Sequence, residues 1–158
     1  MELTECYTDL ESKTFCYEFS VILNDCDVFG HASYSHYIHW QNLGIQYLFL
    51  SNLIAKEFIR DQVNIKTYSS SMHYKKGVVF SDRVIGKVNV SNINKNGCEF
   101  YFTFNHKKDN SLIGLGVQKA KFIDCASGET RCAPDEVLNN VLRPIQISKD
   151  KIKLHNYE

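Results

Sequence analysis

The chain has 158 residues, 44% of them hydrophobic and 13% aromatic, and its eighteen basic and eighteen acidic side chains balance to zero net charge. That length and apolar content suit one compact domain with a substantial core and exclude a disordered chain. Neutrality excludes a general nucleic-acid binder, which needs a basic excess.

The first residues, Met1-Glu2-Leu3-Thr4-Glu5, carry neither a basic region nor an apolar run, so no secretory signal and a cytoplasmic location are expected. The six cysteines, at 6, 16, 26, 98, 125 and 132, form no C-x-x-C pair, so reduced thiols and no structural metal are expected. Residues 1–13 read as a polar lead-in. In 14–23, Phe15, Tyr17, Phe19, Val21 and Leu23 alternate with other residues, which predicts a strand ending at Asn24-Asp25, with Gly30 marking a sharp turn.

A helix is predicted from near Ser35, with Ser33 or Ser35 as its N-cap. Tyr37, Trp40, Gly44, Tyr47, Leu48 and Ser51 form one stripe at helical spacing, and Ile38, Ile45, Phe49 and Asn52 form a second. A helix apolar around most of its circumference is buried on most sides. Gly44 in mid-helix costs about 1 kcal/mol relative to alanine, which points to a close approach of backbone there. Gln41, Asn42, Gln46, Ser51 and Asn52 interrupt the apolar run of 38–54, so it does not suit a membrane span.

Four strands are then predicted, over 63–75, 82–93, 98–106 and 111–124. Turns fall at Lys76-Gly77, Asn96-Gly97, 107–110 and Ser127-Gly128, Asn-Gly being a strong hairpin signal. Pro134 opens a short helix over 135–142 that Pro144 stops, and 145–158 read as a polar tail. One strand, one long buried helix and four antiparallel strands make an α+β chain. A single helix apolar almost all round must be wrapped by the sheet. The expected architecture is a single hotdog domain over 14–144, with about five strands around a central helix.

Chemistry concentrates in 24–40, where Asp25, Asp27, Gly30, His31, His36 and His39 precede or interleave with an aromatic run at the strand-to-helix junction. On spacing alone the two aspartates either cap a turn or do acid–base work. Cys26 lies between them, which disfavours its thiolate, and no further acidic or histidine cluster supports a metal at Asp27 and His31.

The stretch Asp25-Cys26-Asp27-x-x-Gly30-His31, followed by Tyr37-x-x-Trp40, resembles the motif of the 4-hydroxybenzoyl-CoA thioesterase family of hotdog enzymes. It is similar in the same register to acyl-carrier-protein thioesterases, and Tyr37-Ile38-His39-Trp40-Gln41 resembles those of enediyne polyketide pathways. The resemblance implies hydrolysis of an acyl-CoA or acyl-carrier-protein thioester to acid and thiol, with no cofactor. It implies Asp27 as nucleophile or general base, the Tyr34 backbone N–H as donor to the thioester oxygen, and His31 in support. Gly30 would be the turn glycine and Asp25 a structural carboxylate. Sheets of this family pair edge to edge, which implies a homodimer or homotetramer.

The chemistry asks for such groups: a helix N-terminus offers unpaired N–H donors, and a carboxylate on the preceding loop attacks directly or deprotonates water. No acid occurs on the helix before Glu57, which excludes relatives that place the catalytic acid there. Tyr37 is expected to be core and to shape the acyl pocket. Lys75, Lys76 and Arg83 are the candidates for the phosphates of coenzyme A or phosphopantetheine, with Lys119, Lys121 and Arg131 as further ones. Two rival readings remain: a hotdog dehydratase or hydratase using His31 and Asp27, and a module that binds acyl thioesters without cleaving them.

Overall fold

A computed structural model describes residues 1–52 and 55–152 of the chain. Its elements are β1 (Glu2–Asp9), β2 (Thr14–Ser20), α1 (Tyr34–Ser51), α2 (Ala55–Asp61), β3 (Val63–Tyr74), β4 (Arg83–Asn94), β5 (Gly97–His106), β6 (Leu112–Asp124) and α3 (Asp135–Val137). The strands form one six-stranded antiparallel sheet in the order β1-β2-β4-β5-β6-β3, and α1 packs against it.

Where α1 meets the sheet the contact is aromatic. Tyr37, Trp40, Gly44, Ile45, Leu48 and Phe49 are buried on the helix, and Phe15, Tyr17, Phe19, Phe100, Phe102 and Phe104 are buried on β2 and β5. Trp40 lies 5.0 Å from Phe19 and 6.2 Å from Phe104, ring centre to ring centre. Each such side chain taken from water contributes about 1.5–3 kcal/mol. The close approach at Gly44 is made by a side chain and not by backbone: the ring and hydroxyl of Tyr17 come within 2.7 Å of where a Cβ would stand. The same ring lies 2.3 Å from a Cβ position on Gly86, and its hydroxyl donates to the Trp40 carbonyl at 2.9 Å. Burial pushes the Tyr17 phenol well above its ordinary range.

Several expectations change. The sheet has six strands, not about five, because residues 2–9 are β1, paired with β2, and not a loose lead-in. No β1 residue is fully buried, so the apolar alternation that betrays a strand is absent; its backbone bonds and the packing of Leu3 and Cys6 hold it. The predicted strand over 14–23 ends at Ser20, and a 3-10 turn, Leu23–Asp25, follows. The β4–β5 turn is Lys95-Asn96, with Asn94 facing Gly97. Gly97 is needed in the strand itself, because a Cβ there would meet the Ala120 carbonyl at 2.3 Å.

The C-terminal helix is short: α3 passes into a π-type turn, Leu138–Leu142, and then a 3-10 turn, Arg143–Ile145, which contains Pro144. The start of the expected polar tail is docked, with Ile145 and Ile152 buried and the Ile147 N–H bonded to the Val90 carbonyl at 2.9 Å. The rest of that tail, 153–158, and residues 53–54 of the predicted helical run lie outside the described residues.

Candidate active site

Between β2 and α1 the chain makes a tight loop over 26–32. The Asp27 N–H donates to the His31 carbonyl at 2.8 Å, and the Gly30 N–H donates to the Asp27 carbonyl at 3.0 Å. One carboxylate oxygen, Asp27 Oδ1, accepts the N–H groups of Phe29 (2.9 Å) and His31 (3.1 Å). Gly30 takes φ 79°, the left-handed region that glycine enters without a side-chain penalty. Asp27 therefore does cap its own turn. Its other oxygen, Oδ2, has no partner among the described residues, and the side chain is exposed beside Val28 (93% exposed) and Phe29 (82%).

The loop delivers the chain to the N-terminus of α1, which is open. Ser33 is the N-cap residue, but its hydroxyl lies 3.2 Å from the Ser35 hydroxyl and caps no helix amide. The N–H groups of Tyr34 and Ser35 have no hydrogen-bond partner among the described residues, and no acidic residue occupies the first turn. Free donors and the positive end of an 18-residue helix thus face outward next to the Asp27 loop.

The other aspartate has a different place. Asp25 is 2% exposed, and its Oδ2 accepts the Ile22 N–H at 3.0 Å and lies 2.7 Å from the Met1 amine. The imidazole of His36 stands 3.2 Å from its Oδ1, and His39 packs edge-on to His36.

The remaining candidates scatter. The His31 imidazole is exposed and makes no hydrogen bond or ion pair among the described residues, with Asp27 or any other group. Tyr34 presents its ring to solvent at 4.5 Å from Tyr74, whose hydroxyl donates to the Tyr34 carbonyl at 3.1 Å. Tyr37 is buried between Trp40 (4.6 Å) and Tyr74 (5.1 Å), and burial, with Tyr34 and Tyr74 adding to it, pushes its phenol up to about 12.

Of the six basic candidates, only Lys75 has no partner among the described residues. Lys76 reaches Ser111 (3.0 Å) and Asp109 (3.5 Å), while Arg83 and Lys107 both bond the buried Glu18. Lys119 lies 3.9 Å from Glu99, Lys121 stands over the Tyr68 ring at 5.1 Å, and Arg131 pairs with Asp124 at 3.2 Å. An apolar cavity of about 360 Å³ lies further along α1, among Ile45, Phe49, Leu50, Phe58 and Ile65. None of its lining residues belongs to 24–34.

Topology adds residues that sequence spacing does not flag. Val79 and Phe80 lie against the loop: the Ala32 N–H donates to the Val78 carbonyl (2.8 Å), and the Phe80 N–H to that of Gly30 (3.0 Å). Nothing in the periodicity marks 78–82 as a neighbour of 26–32, some fifty positions earlier in the sequence. Among the described residues no group of three His, Cys, Asp or Glu could hold a metal ion, and no helix is long and apolar enough to cross a membrane.

Comparison with known proteins bears on the family and the fold. Residues 21–141 match the profile of the thioesterase-like superfamily. A search of curated proteins gives no match. Among solved structures, a 1,4-dihydroxy-2-naphthoyl-CoA thioesterase from Synechocystis is 13% identical, with TM-score 0.74 over 81% of this chain and 95% of its own. The dynemicin thioesterase, described in terms of polyene binding, is 15% identical, with TM-score 0.77 over 85% of this chain and 98% of its own. A Staphylococcus aureus protein in complex with CoA is 12% identical, with TM-score 0.74 over 81% of each chain. These likenesses are of fold, an antiparallel sheet with a helix packed on it in the hotdog manner. By its matched residues and its fold, the chain belongs to the thioesterase-like superfamily.

Proposed function

We propose that the protein is an acyl thioesterase, hydrolysing an acyl-CoA or acyl-carrier-protein thioester to free acid and thiol. The reading rests on one observation: an exposed carboxylate, Asp27, has one oxygen fixed in its loop and the other open, next to an uncapped helix N-terminus. The thioester oxygen would accept the Tyr34 N–H, and donors aimed at the developing oxyanion contribute about 3 kcal/mol to lowering the barrier. Asp27 Oδ2 then attacks the carbonyl carbon or takes a proton from water that does so. Collapse of the tetrahedral species releases the thiolate, to which His31 supplies a proton; where Asp27 itself attacked, the product is an Asp27–acyl anhydride, which water then cleaves to the free acid and the regenerated carboxylate. The reaction so written draws on the chain's own groups and water.

Support for a coenzyme A thioester comes from the naphthoyl-CoA thioesterase and from the CoA-bound relative. Of the six basic candidates, Lys75 is the one without a side-chain partner among the described residues and so free to meet a phosphate; Lys76 and Arg83 would join only by leaving Asp109 and Glu18. The Tyr34, Tyr37 and Tyr74 rings would border the acyl group. A dehydratase would be favoured by an Asp27–His31 pair, and the two side chains make none.

The test is Asp27→Asn. Asparagine keeps an oxygen for the Phe29 and His31 amides, so the loop and the melting temperature are retained. Thiol release from a panel of short, long and aromatic acyl-CoAs and one acyl-carrier-protein substrate should fall by roughly three orders of magnitude. Full activity of the folded variant on every thioester it accepts would sink the assignment. Enoyl absorbance followed on the same panel separates hydrolysis from dehydration.

We further propose that copies of the chain associate through β3. This strand closes one edge of the sheet and is exposed along most of its length, and proteins rarely leave such an edge uncovered. Sedimentation equilibrium should give the mass of a homodimer or homotetramer; a monomer at micromolar concentration would contradict it.

A further inference from the structure

We propose that Asp82 and His106 form a clamp that holds the Asp27 loop in its reactive shape, acting as positioning residues for the hydrolysis proposed above and resting on that reading. The loop over 26–32 lacks a packed side-chain anchor at its tip, where Val28 and Phe29 face outward. It is stitched instead to the segment 78–82, by the Ala32–Val78 and Phe80–Gly30 hydrogen bonds and the pairing of His31 with Val79. The same segment is bonded from behind to the end of β2. The Ser81 N–H donates to the Val21 carbonyl, and the Val21 N–H to the Asp82 carbonyl, both at 2.9 Å. The buttress thus joins the sheet to the loop.

That buttress is itself a strained turn. Ser81 takes φ 66°, where a non-glycine residue persists only if its surroundings over-determine it. Asp82 does so at both oxygens. Oδ2 accepts the Val79 N–H at 2.9 Å, closing the turn, and Oδ1 lies 3.2 Å from His106 Nε2 on β5. The His106 Nδ1 accepts the Lys108 N–H at 3.2 Å, so the ring hydrogen sits on Nε2, the nitrogen at ion-pair distance from Asp82. Both side chains are largely shielded, at 16% and 25% exposure, and the neighbouring cations Arg83 and Lys107 are committed to Glu18. His106 is the one ion-pair partner of Asp82 among the described residues.

One carboxylate oxygen accepts the Val79 N–H and the other lies at ion-pair distance from the His106 ring, so both of its oxygens and its charge are in use. In Asp82→Asn the negative charge facing His106 is lost at nearly constant shape, while the amide oxygen can still accept the Val79 N–H. His106→Leu removes the clamp from the other side. His106→Gln retains a donor near the Nε2 position.

Hydrogen exchange read by mass spectrometry on the unliganded protein should show faster exchange of the 27–32 and 78–82 amides in Asp82→Asn and His106→Leu, with the exchange of β4 and β6 unchanged. In both variants kcat for whichever of benzoyl-CoA and octanoyl-CoA is hydrolysed faster should fall about 10- to 100-fold, as for a misplaced catalytic group. KM should stay within about twofold, since binding contacts are kept. His106→Gln should restore most of both effects. Unchanged exchange at 27–32 in folded His106→Leu, or His106→Gln behaving like His106→Leu, overturns the clamp, and this pair decides the matter even if Asp82→Asn fails to fold. Full activity of Asp27→Ala would overturn the assignment of Asp27 instead, and the exchange result does not depend on it.

Discussion

At the residue scale, two aspartates two positions apart do different work. Asp27 is exposed and shares its oxygens between its own turn and open space; Asp25 is buried and engaged by the Ile22 amide, the Met1 amine and the His36 ring. Removing the buried carboxylate leaves buried donors unpaired, which costs about 1–3 kcal/mol, more where a charge is involved. Asp25→Ala should therefore lower the unfolding free energy by roughly 2–4 kcal/mol in urea titration, while Asp27→Asn leaves it nearly unchanged. A drop for both alike would mean that the two carboxylates share one structural task. The motif made Asp27, Gly30 and Tyr34 legible, because acid, turn glycine and helix start lie within eight positions. Asp82 and His106 were not legible, since their contact spans twenty-four positions and is made only when β4 and β5 pair.

At the scale of elements, α1 and β4 declared themselves by period, because each buries one continuous face, whereas β3 is mixed in polarity and exposed along most of its length. Missing from that reading is β1, an edge strand held by its backbone and exposed or half-exposed throughout. The polar interruptions of α1 also read differently in place. Gln41 is fully buried and donates to the Ser71 carbonyl (3.2 Å) and accepts the Ser70 hydroxyl (3.3 Å); Gln118, equally buried, joins Asn42 and Thr67, at 2.9 Å each. These amides fasten the helix to β3 and β6. Gln41→Leu keeps the volume but strands the Ser71 carbonyl, and should lower stability by about 1–3 kcal/mol in urea unfolding. An unchanged midpoint would show that β3 is held without this link.

For the whole molecule, the buried phenols set an alkaline limit. Tyr37, pushed up to about 12, and Tyr17, pushed well above its ordinary range by burial, must stay protonated in the fold, whereas in the unfolded chain they ionise near 10. Raised folded values mean that their stabilisation is complete below pH 10 and is lost as pH climbs toward 12. The melting temperature should fall steeply across that window, and Tyr37→Phe should make the fall shallower. A pH-independent melting temperature between 10 and 12 would contradict the burial of both hydroxyls.

Tyr17 carries one more consequence. Its ring fills the space that side chains at 44 and 86 would need, 2.7 and 2.3 Å away, so a helix and a strand are both hollowed to fit one tyrosine. Replacing glycine by alanine commonly stiffens a chain and raises its stability, but at either of these positions the new methyl has nowhere to go. Alanine becomes acceptable there only when the residue at 17 shrinks in the same step. Effects at positions 17, 44 and 86 should therefore be strongly non-additive, and among divergent sequences of this fold the three should vary as a set.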